Sequence, residues 1–341
     1  MGKGEDKGCS MRRIEAGSRY TYLPEGCRLC RKGAKLVLFV TGICNNSCFY
    51  CPVSKEKIGR DVVFANERPV KSVEDVFEEI EMMDAEGIAI TGGEPLLKIE
   101  KVREYLKLAK KLDLHVHLYT SLPAGEKLKK LEGLDEIRFH PPELKSPEKY
   151  EESIRLAKKL GMDAGFEIPA IRFEEKIVEI VNRNDAFLNV NQLEVSESNW
   201  ERIAESYSIT DYYVSDEETE RIVKEYERAE KFHYCSARFK DIAQFRRRLI
   251  RMAMNHPEFY AVTRDGTLVC TRVEGDAERL SIAEEILRKA GQEFVRFEDC
   301  IETTPELEKK IREALKSEGL RLRIVERYPT YNRLVLEVMD I

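Results

Sequence analysis

The chain has 341 residues, with 57 lysines and arginines against 63 aspartates and glutamates and a formal net charge of −6. This length suits two domains, or one barrel-sized domain with an extension. The charge excludes the strongly basic body that is typical of dedicated nucleic-acid-binding proteins. No apolar stretch approaches the roughly 20 residues of a membrane span, and the polar start lacks the apolar region of a signal peptide, so we expect a cytoplasmic protein without a membrane partner.

Two features of the composition are unusual. Charged residues make up 35% of the chain and glutamine occurs only three times, a composition that is typical of proteins from thermophiles. The chain also has nine cysteines. An odd number of cysteines without a signal peptide argues against a secreted disulfide framework and for metal binding or redox chemistry.

Short apolar runs alternate with amphipathic helical stretches from residue 35 to about residue 196. The first of these helices is predicted to begin after Ser72, with Asp75 as its capping partner, and to end at Gly87. Six strands are predicted, at residues 36–41, 88–91, 115–120, 136–140, 164–168 and 187–195. Repeated βα units of this kind indicate an α/β fold with a parallel sheet.

Six βα units are too few for a closed eightfold barrel and predict a partial (β/α)6 TIM-like barrel, whose chemistry lies at the carboxyl ends of its strands. After residue 200 the pattern changes to α+β. Helices are predicted at 217–230, 241–254, 281–290 and 304–317, and hairpins pair 259–263 with 267–271 and 321–326 with 333–338. The predicted regions are therefore an N-terminal extension (1–34), the partial barrel (35–200) and a C-terminal α+β domain for substrate or an auxiliary centre (201–341).

Three cysteines follow the first predicted strand at the spacing C-x3-C-x2-C, namely Cys44, Cys48 and Cys51. Thiolates on one short loop can converge on a single centre, and they are the ligands of zinc and of iron–sulfur clusters. A structural zinc ion takes four ligands, whereas a [4Fe–4S] cluster held by three cysteines leaves one iron open. A second motif, Gly92-Gly93-Glu94, stands at the end of the second predicted strand.

The cysteine spacing, Tyr50 before the last cysteine and the Gly-Gly-Glu turn together resemble the radical S-adenosylmethionine superfamily over about residues 35–196. With stretches near residues 23–27, 64–67 and 235 included, the chain resembles a largely uncharacterised archaeal group described by likeness to the activating enzyme of pyruvate formate-lyase. The resemblance implies an oxidoreductase that cleaves S-adenosylmethionine reductively to methionine and a 5′-deoxyadenosyl radical. That radical would take a hydrogen atom from an unknown substrate, and the electron would come from a low-potential donor of the ferredoxin or flavodoxin type.

The resemblance also assigns roles to residues of this chain. Cys44, Cys48 and Cys51 would bind three irons of a [4Fe–4S] cluster, and S-adenosylmethionine would chelate the fourth. Backbone at Gly92 and Gly93 would approach the methionine moiety, the carboxylate of Glu94 would accept hydrogen bonds from its amino group, and Tyr50 would lie near the adenine. No catalytic side chain is assigned.

The later strand ends resemble the family pattern less closely. Ser121 could contact the ribose or the carboxylate, whereas Glu167 and either Asn191 or Glu194 could contact the nucleoside, and His140 could face the substrate. The alternative for each is a polar residue satisfied by the protein itself. His115 and His117 are interpreted as packing or surface residues.

A further pair of cysteines, Cys27 and Cys30, precedes the first predicted strand. Together with Cys235 they could hold a second iron–sulfur cluster, or a zinc ion with His233; alternatively, they are ordinary thiols. The remaining cysteines, Cys9, Cys270 and Cys300, are interpreted as bystanders.

Residues 238–251 form a basic segment with two interpretations. It could bind RNA or another phosphate-bearing partner, or it could be a solvated face paired with the acidic helix 217–230.

For the whole chain, the alternative to an enzyme is a non-catalytic iron–sulfur or zinc protein with a structural or redox role. Glu94 favours the enzyme, because a purely structural cluster has no use for a Gly-Gly-Glu turn one strand away. Modification of a macromolecule and cofactor biosynthesis remain open as reactions.

Overall fold

The computed structural model describes residues 10–341, so the predicted bystander Cys9 lies outside the described residues. The chain forms two compact units. The first runs up to Glu81 and continues over Ala85–Phe245, and the second comprises Met82–Asp84 and Arg246–Ile341. Each unit is described by itself below.

The first unit is built on one mixed sheet and a small two-stranded ribbon. Its strands are β1 (Arg12–Arg13), β2 (Arg19–Tyr20), β3 (Lys35–Phe39), β4 (Phe64–Ala65), β5 (Arg68–Pro69), β6 (Gly87–Thr91), β7 (His115–Thr120), β8 (Glu136–Phe139), β9 (Asp163–Pro169), β10 (Phe187–Asn191), β11 (Ile209–Thr210), β12 (Tyr213–Val214) and β13 (Phe232–Cys235). The sheet order is β1-β2-β13-β10-β9-β8-β7-β6-β3-β4-β5, and β11 pairs with β12.

Within the described part of the chain, seven consecutive neighbours of this sheet, β3, β6, β7, β8, β9, β10 and β13, pair in parallel. The six predicted strands are all present in this series, so the α/β prediction is confirmed. Phe232–Cys235 adds a seventh parallel strand that the sequence did not reveal. Because it pairs with Phe187–Asn191, the first unit extends to Phe245, whereas the sequence predicts a boundary after residue 200.

Helices connect the strands. They are α1 (Glu25–Lys32), α2 (Val73–Met82), α3 (Ile99–Lys111), α4 (Glu151–Lys159), α5 (Glu175–Arg183), α6 (Trp200–Ala204), α7 (Asp216–Tyr226) and α8 (Ala237–Phe239), followed by a π-helical segment at Lys240–Phe245. Short 3-10 turns lie at Glu15–Gly17, Pro95–Lys98, Gly125–Lys130, Pro142–Leu144 and Pro147–Tyr150. The predicted capping at the start of α2 is present, since the Asp75 carboxylate accepts hydrogen bonds from the backbone N–H groups of Lys71 and Ser72.

The two faces of the parallel strands differ in chemistry because side chains alternate along each strand. One face carries buried apolar residues such as Leu38, Ile90 and Leu118. The other face carries buried polar residues, among them His117 and Arg138. A sheet buried on both sides usually has apolar residues on both faces, so this polar face marks the part of the unit where chemistry is to be expected.

Helix α1 packs against the polar face of the sheet. The backbone N–H of Gly26 donates to Glu136 Oε2 at 2.9 Å, and the Arg138 guanidinium donates to the sulfur of Cys27 at 3.3 Å. A Cβ atom at Gly26 would lie 2.2 Å from His117 Nδ1. Only glycine therefore lets α1 approach the sheet this closely.

The second unit has an antiparallel sheet covered by helices. It comprises β14 (Ala261–Val262), β15 (Leu268–Glu274), β16 (Phe294–Arg296), β17 (Cys300–Thr303), β18 (Arg321–Arg327) and β19 (Val335–Asp340), with α9 (Arg246–Met254), α10 (Ala277–Lys289) and α11 (Lys309–Ser317). Both predicted hairpins are present, as β14 with β15 and β18 with β19. Helices α10 and α11 contribute Leu280, Leu287 and Leu315 to an apolar core.

A buried ion pair lies within the sheet of the second unit. Arg327 and Glu302 are both fully buried, and the guanidinium donates to the carboxylate at 2.6 Å. Arg272 and the Tyr260 hydroxyl donate to the same carboxylate at 2.7 and 2.8 Å.

Across the residues that the structure describes, no helix is both long and apolar enough to cross a membrane.

Candidate active site

A cavity of about 410 Å³ opens at the carboxyl ends of the parallel strands in the first unit. This volume is in the range of small-molecule sites. The cavity brings together most of the predicted site residues: Cys44, Cys48, Tyr50, Cys51, Gly92, Gly93, Ser121, His140, Glu167, Asn191 and Glu194. Residues far apart in the sequence therefore meet at the edge of the sheet that the βα pattern predicts.

The three cysteines of the loop after β3 are free thiols with partial exposure. The sulfur of Cys44 accepts a hydrogen bond from the backbone N–H of Asn46 at 3.4 Å. The side-chain amide of Asn46 also donates to the Ser121 hydroxyl at 2.8 Å, and so connects the cysteine loop to the end of β7. These contacts hold the Cys44 sulfur and the cysteine loop in position at the strand ends.

The glycines of the Gly-Gly-Glu turn fit the turn against the cysteine loop. The N–H of Gly93 donates to the carbonyl of Thr41 at 2.6 Å, and the N–H of Glu94 donates to the carbonyl of Ile43 at 2.8 Å. A Cβ atom at Gly92 would lie 2.5 Å from the Thr41 oxygen, and one at Gly93 would lie 2.5 Å from the Ile43 oxygen. The missing side chains thus allow two backbone segments to pack, a role that the sequence did not reveal.

The Glu94 carboxylate is fully buried and occupied by the protein. Its Oε1 accepts from Leu96 N and Thr120 Oγ1 at 3.0 and 2.8 Å, and its Oε2 accepts from Ser121 N and Oγ at 2.7 and 2.6 Å. Four donors saturate both oxygens. The carboxylate therefore ties the end of β6 to the end of β7, and its predicted contact with S-adenosylmethionine stays a prediction.

Tyr50 is buried beside His140, and their hydrogen bonds define a tautomer. The Nδ1 atom of His140 lies 2.9 Å from the carbonyl oxygen of Glu167, which can only accept, so Nδ1 carries the proton. Burial lowers the pKa of His140, and in the neutral ring Nε2 accepts from the Tyr50 hydroxyl at 2.9 Å. The Tyr50 oxygen in turn accepts from the N–H of Glu143 at 2.9 Å. The ring of Tyr50 is thereby fixed in the cavity wall.

Buried charged and polar residues contact Glu167, which lines the cavity. Arg138 forms ion pairs with Glu136 and, at 2.6 Å, with Glu167. Burial opposes ionisation of Glu167, but Arg138 and the amides of Asn191 and Asn189 outweigh it and lower its pKa. Asn191 donates to Glu167 Oε1 at 2.9 Å. Glu167 and Asn191 thus reach the cavity as charged and polar groups that the protein holds in place.

Sequence reasoning missed two cationic parts of this site. Arg138 was missed. Its signal in the sequence is the alternation of Glu136, Arg138 and His140 with apolar residues, which places the three side chains on one face of the predicted strand. Lys240 was treated only as part of a basic segment. It lines the cavity from the π-helical segment and forms an ion pair with Glu194. A π-helical turn at a site is often functional, but nothing in the local sequence distinguishes it.

The second set of cysteines lies away from the cavity lining. Cys27 and Cys235 are buried and Cys30 is partly buried, and burial raises the pKa of Cys235 to about 12. The sulfur of Cys27 accepts from Arg138 and, at 3.5 Å, from Asn189. A second iron–sulfur cluster at these thiols therefore stays a prediction. The cysteines predicted to be bystanders, Cys270 and Cys300, are buried in the second unit.

The basic segment 238–251 is largely neutralised by acidic neighbours. Arg238 pairs with Asp216 at the start of α7, as the solvated-face interpretation expects, and Arg246 pairs with Asp265 at 3.1 Å. Arg251 pairs with Asp84 at 2.8 Å. These pairs do not support the predicted RNA-binding role of the segment.

Two comparisons of the sequence decide the family. A model described as the radical SAM superfamily matches residues 38–183. A protein of Methanocaldococcus jannaschii named "Putative glycyl-radical enzyme activating enzyme" is 38% identical over 344 aligned residues, which cover 92% of this chain and 92% of that protein. The chain belongs to the radical S-adenosylmethionine superfamily. The predicted family is confirmed, and the protein is an enzyme that cleaves S-adenosylmethionine reductively; its substrate is unknown.

Other similarities are more distant. SuiB of Streptococcus suis bound to the precursor peptide SuiA matches with a TM-score of 0.43 and 14% identity, over 60% of this chain and 48% of that chain. The methyltransferase TsrM of Kitasatospora setae, with tryptophan and a SAM analogue bound, matches with a TM-score of 0.36 and 15% identity, over 58% and 44%. The chain spans about half the length of these solved proteins. A domain of unknown function, DUF8061, matches residues 266–341 of the second unit.

Proposed function

We propose that the cavity at the strand ends is the active site, and that Cys44, Cys48 and Cys51 hold a [4Fe–4S] cluster in it. The donor set fits such a cluster, because three free thiols line one cavity and a backbone N–H is directed at one of the sulfurs. The observation that carries the proposal is the convergence of this loop with the Gly-Gly-Glu turn. When bound, the cluster supplies the electron that cleaves S-adenosylmethionine to methionine and a hydrogen-abstracting 5′-deoxyadenosyl radical.

The residues of this chain position the cofactors and exclude water. Glu94 and Ser121 fix the strand ends, and Asn46 holds the cysteine loop against them. We infer that Tyr50 contacts the adenine, as the family resemblance predicts, and that His140, which holds the Tyr50 hydroxyl, faces the substrate side. Glu167 and Asn191 face the same cavity and offer acceptors and donors to the ribose hydroxyls. We further propose that the parallel strands curve into a partial barrel around this site, since their order follows the sequence and the sheet has two ends.

We propose that the substrate is a polypeptide and that the enzyme abstracts a hydrogen atom from the Cα of a glycine residue in it. The support is the name of the 38% identical relative, a glycyl-radical enzyme activating enzyme. The neutralised basic segment removes the main reason to expect RNA. A low-potential ferredoxin or flavodoxin would provide the electron.

Anaerobic reconstitution tests the cavity assignment. Protein loaded with iron and sulfide, then given dithionite and S-adenosylmethionine, is expected to form 5′-deoxyadenosine. Cys48→Ala should abolish the product and lower the iron content, whereas Cys270→Ala, which removes a buried thiol of the second unit, should keep both. Absence of product from a wild-type protein with a fully loaded cluster would refute the assignment.

The substrate class is tested by hydrogen transfer. An extract of cells grown on glycine deuterated at Cα is added to the reconstituted enzyme, and 5′-deoxyadenosine is analysed by mass spectrometry. We expect deuterium in the 5′-deoxyadenosine. Transfer of deuterium should be lost when the extract is treated with protease before it is added, and kept when the extract is treated with ribonuclease. The opposite pattern would exclude a polypeptide.

A further inference from the structure

A second group of ligand-type side chains lies on the polar face of the sheet, at the opposite ends of the strands from the cavity. His115 is the first residue of β7 and Glu136 the first residue of β8. His115, His117 and Glu136 each have one ligand atom that lies within 4.8 Å of the other two. Among residues 10–341, no other group of three histidine, cysteine, aspartate or glutamate side chains meets this distance. Two imidazoles and a carboxylate form a common ligand set for zinc.

His117 is the observation that points to a ligand. Its side chain is fully buried, so the surface interpretation is wrong for this residue. Neither of its ring nitrogens has a hydrogen-bond partner. A buried polar group without a partner costs about 1–3 kcal/mol, and buried polar atoms in proteins are rarely left this way. A bound cation would give this imidazole the partner that the protein does not provide.

The other two ligand atoms face each other at a suitable separation. His115 Nε2 lies 3.7 Å from Glu136 Oε2. Two ligands at about 2.0–2.2 Å from a tetrahedral zinc ion are about 3.4 Å apart, so a small movement of either side chain admits the metal. The third histidine of the sheet, His233, is buried and unpartnered as well, but it does not belong to the set.

Neighbouring groups orient the ligands. The N–H of Gly26 donates to Glu136 Oε2 at 2.9 Å, and Arg138 pairs with the other carboxylate oxygen. The amine of Lys35 lies 2.9 Å from His115 Nδ1, which leaves Nε2 directed at Glu136. The positive charge of Arg138 is matched by two carboxylates. Outer hydrogen bonds to a ligating carboxylate, like those that Glu136 accepts from Gly26 and Arg138, are common in protein metal sites.

We propose that His115, His117 and Glu136 bind one zinc ion. The ion joins β7 to β8 beneath α1 and has a structural role separate from the iron–sulfur cluster. Its fourth position is filled by water. This inference does not rest on the function proposed for the cavity.

Zinc content of the cluster-loaded enzyme tests the proposal, because the cysteine triad is then occupied by iron. After incubation with zinc and desalting, mass spectrometry should find one zinc per wild-type chain. His117→Gln should lower zinc to below a tenth of the wild-type value while iron is unchanged. His233→Gln is the matched control and should keep its zinc. Wild-type protein without zinc, or equal loss in both variants, would overturn the proposal.

Cobalt gives a second readout that does not depend on activity. Co²⁺ added to the same cluster-loaded protein should produce, in a difference spectrum, visible bands of a tetrahedral site, and these should be missing in His117→Gln. Zinc should also raise the unfolding temperature of the wild type but not that of His117→Gln. If that variant is misfolded by circular dichroism, Glu136→Asp replaces it, and retention of full zinc and cobalt binding there would count against the site.

Discussion

Glu94→Gln separates the two roles that have been considered for this carboxylate. Glutamine keeps the shape but replaces one oxygen with an NH₂ group. If that group replaces Oε2, the Ser121 hydroxyl can rotate to accept from it, but the Ser121 N–H loses its acceptor. If it replaces Oε1, the Thr120 hydroxyl can rotate, but the N–H of Leu96 loses its acceptor. In both orientations one backbone N–H is left unpaired.

An unpaired buried donor costs about 1–3 kcal/mol. For a unit of this size each kcal/mol lowers the unfolding temperature by about 2–4 °C, so Glu94→Gln should unfold about 2–12 °C below the wild type. Differential scanning calorimetry measures this shift on the cluster-free protein. Because Ser121 also accepts from Asn46, we expect slower iron incorporation into the cysteine loop as a second effect.

The control is Glu126→Gln, which changes a glutamate with 79% of its side chain exposed and should leave the unfolding temperature within about 1 °C. The structural role would be refuted if Glu94→Gln also stayed within that range while its affinity for S-adenosylmethionine fell. That result would mean that the carboxylate contacts the cofactor, as the family resemblance predicts.

Two further predictions concern other parts of the chain. Glu302→Gln should destabilise the second unit by about 3–5 kcal/mol in denaturant titrations, because it leaves Arg327 buried without its counter-ion. Burial opposes ionisation of Glu302, but Arg327 and the other donors outweigh it and lower its pKa. The stability difference between wild type and Glu302→Gln should therefore be complete above pH 5 and be lost as the pH falls through that lowered pKa. A stability difference that does not change with pH would contradict this. A second iron–sulfur cluster requires more than four irons per chain and a lower count in Cys27→Ala; equal counts near four would exclude it.

Much of the fold could be predicted because the βα alternation is a local pattern. The cysteine triad and the Gly-Gly-Glu turn were found for the same reason, since each is a short motif at a strand end. The seventh strand was missed because it follows residue 200, where the βα alternation ends. Phe232–Cys235 is recognised by its pairing with Phe187–Asn191.

The roles of individual side chains were harder to predict. The hydrogen bonds of Glu94 depend on Ser121 and Leu96, whose positions are set by tertiary packing. The burial of His117 depends on the approach of α1, and no local pattern shows that Gly26 would lie against its ring. Motifs therefore located the cavity, whereas its supporting contacts required the structure.

The pairing of β2 with β13 has a consequence for synthesis of the protein. Thr21 and Phe232 are hydrogen-bonded at 2.9 Å, and Ser18 contacts Ser236 across 218 residues of sequence. At 5–20 residues per second, a ribosome needs about 10–40 s to make the chain between those serines. The thiols of Cys44, Cys48 and Cys51 emerge near the start of that interval and wait for their sheet to close. The cysteine loop is therefore made well before Phe232–Cys235, the strand that completes the parallel sheet.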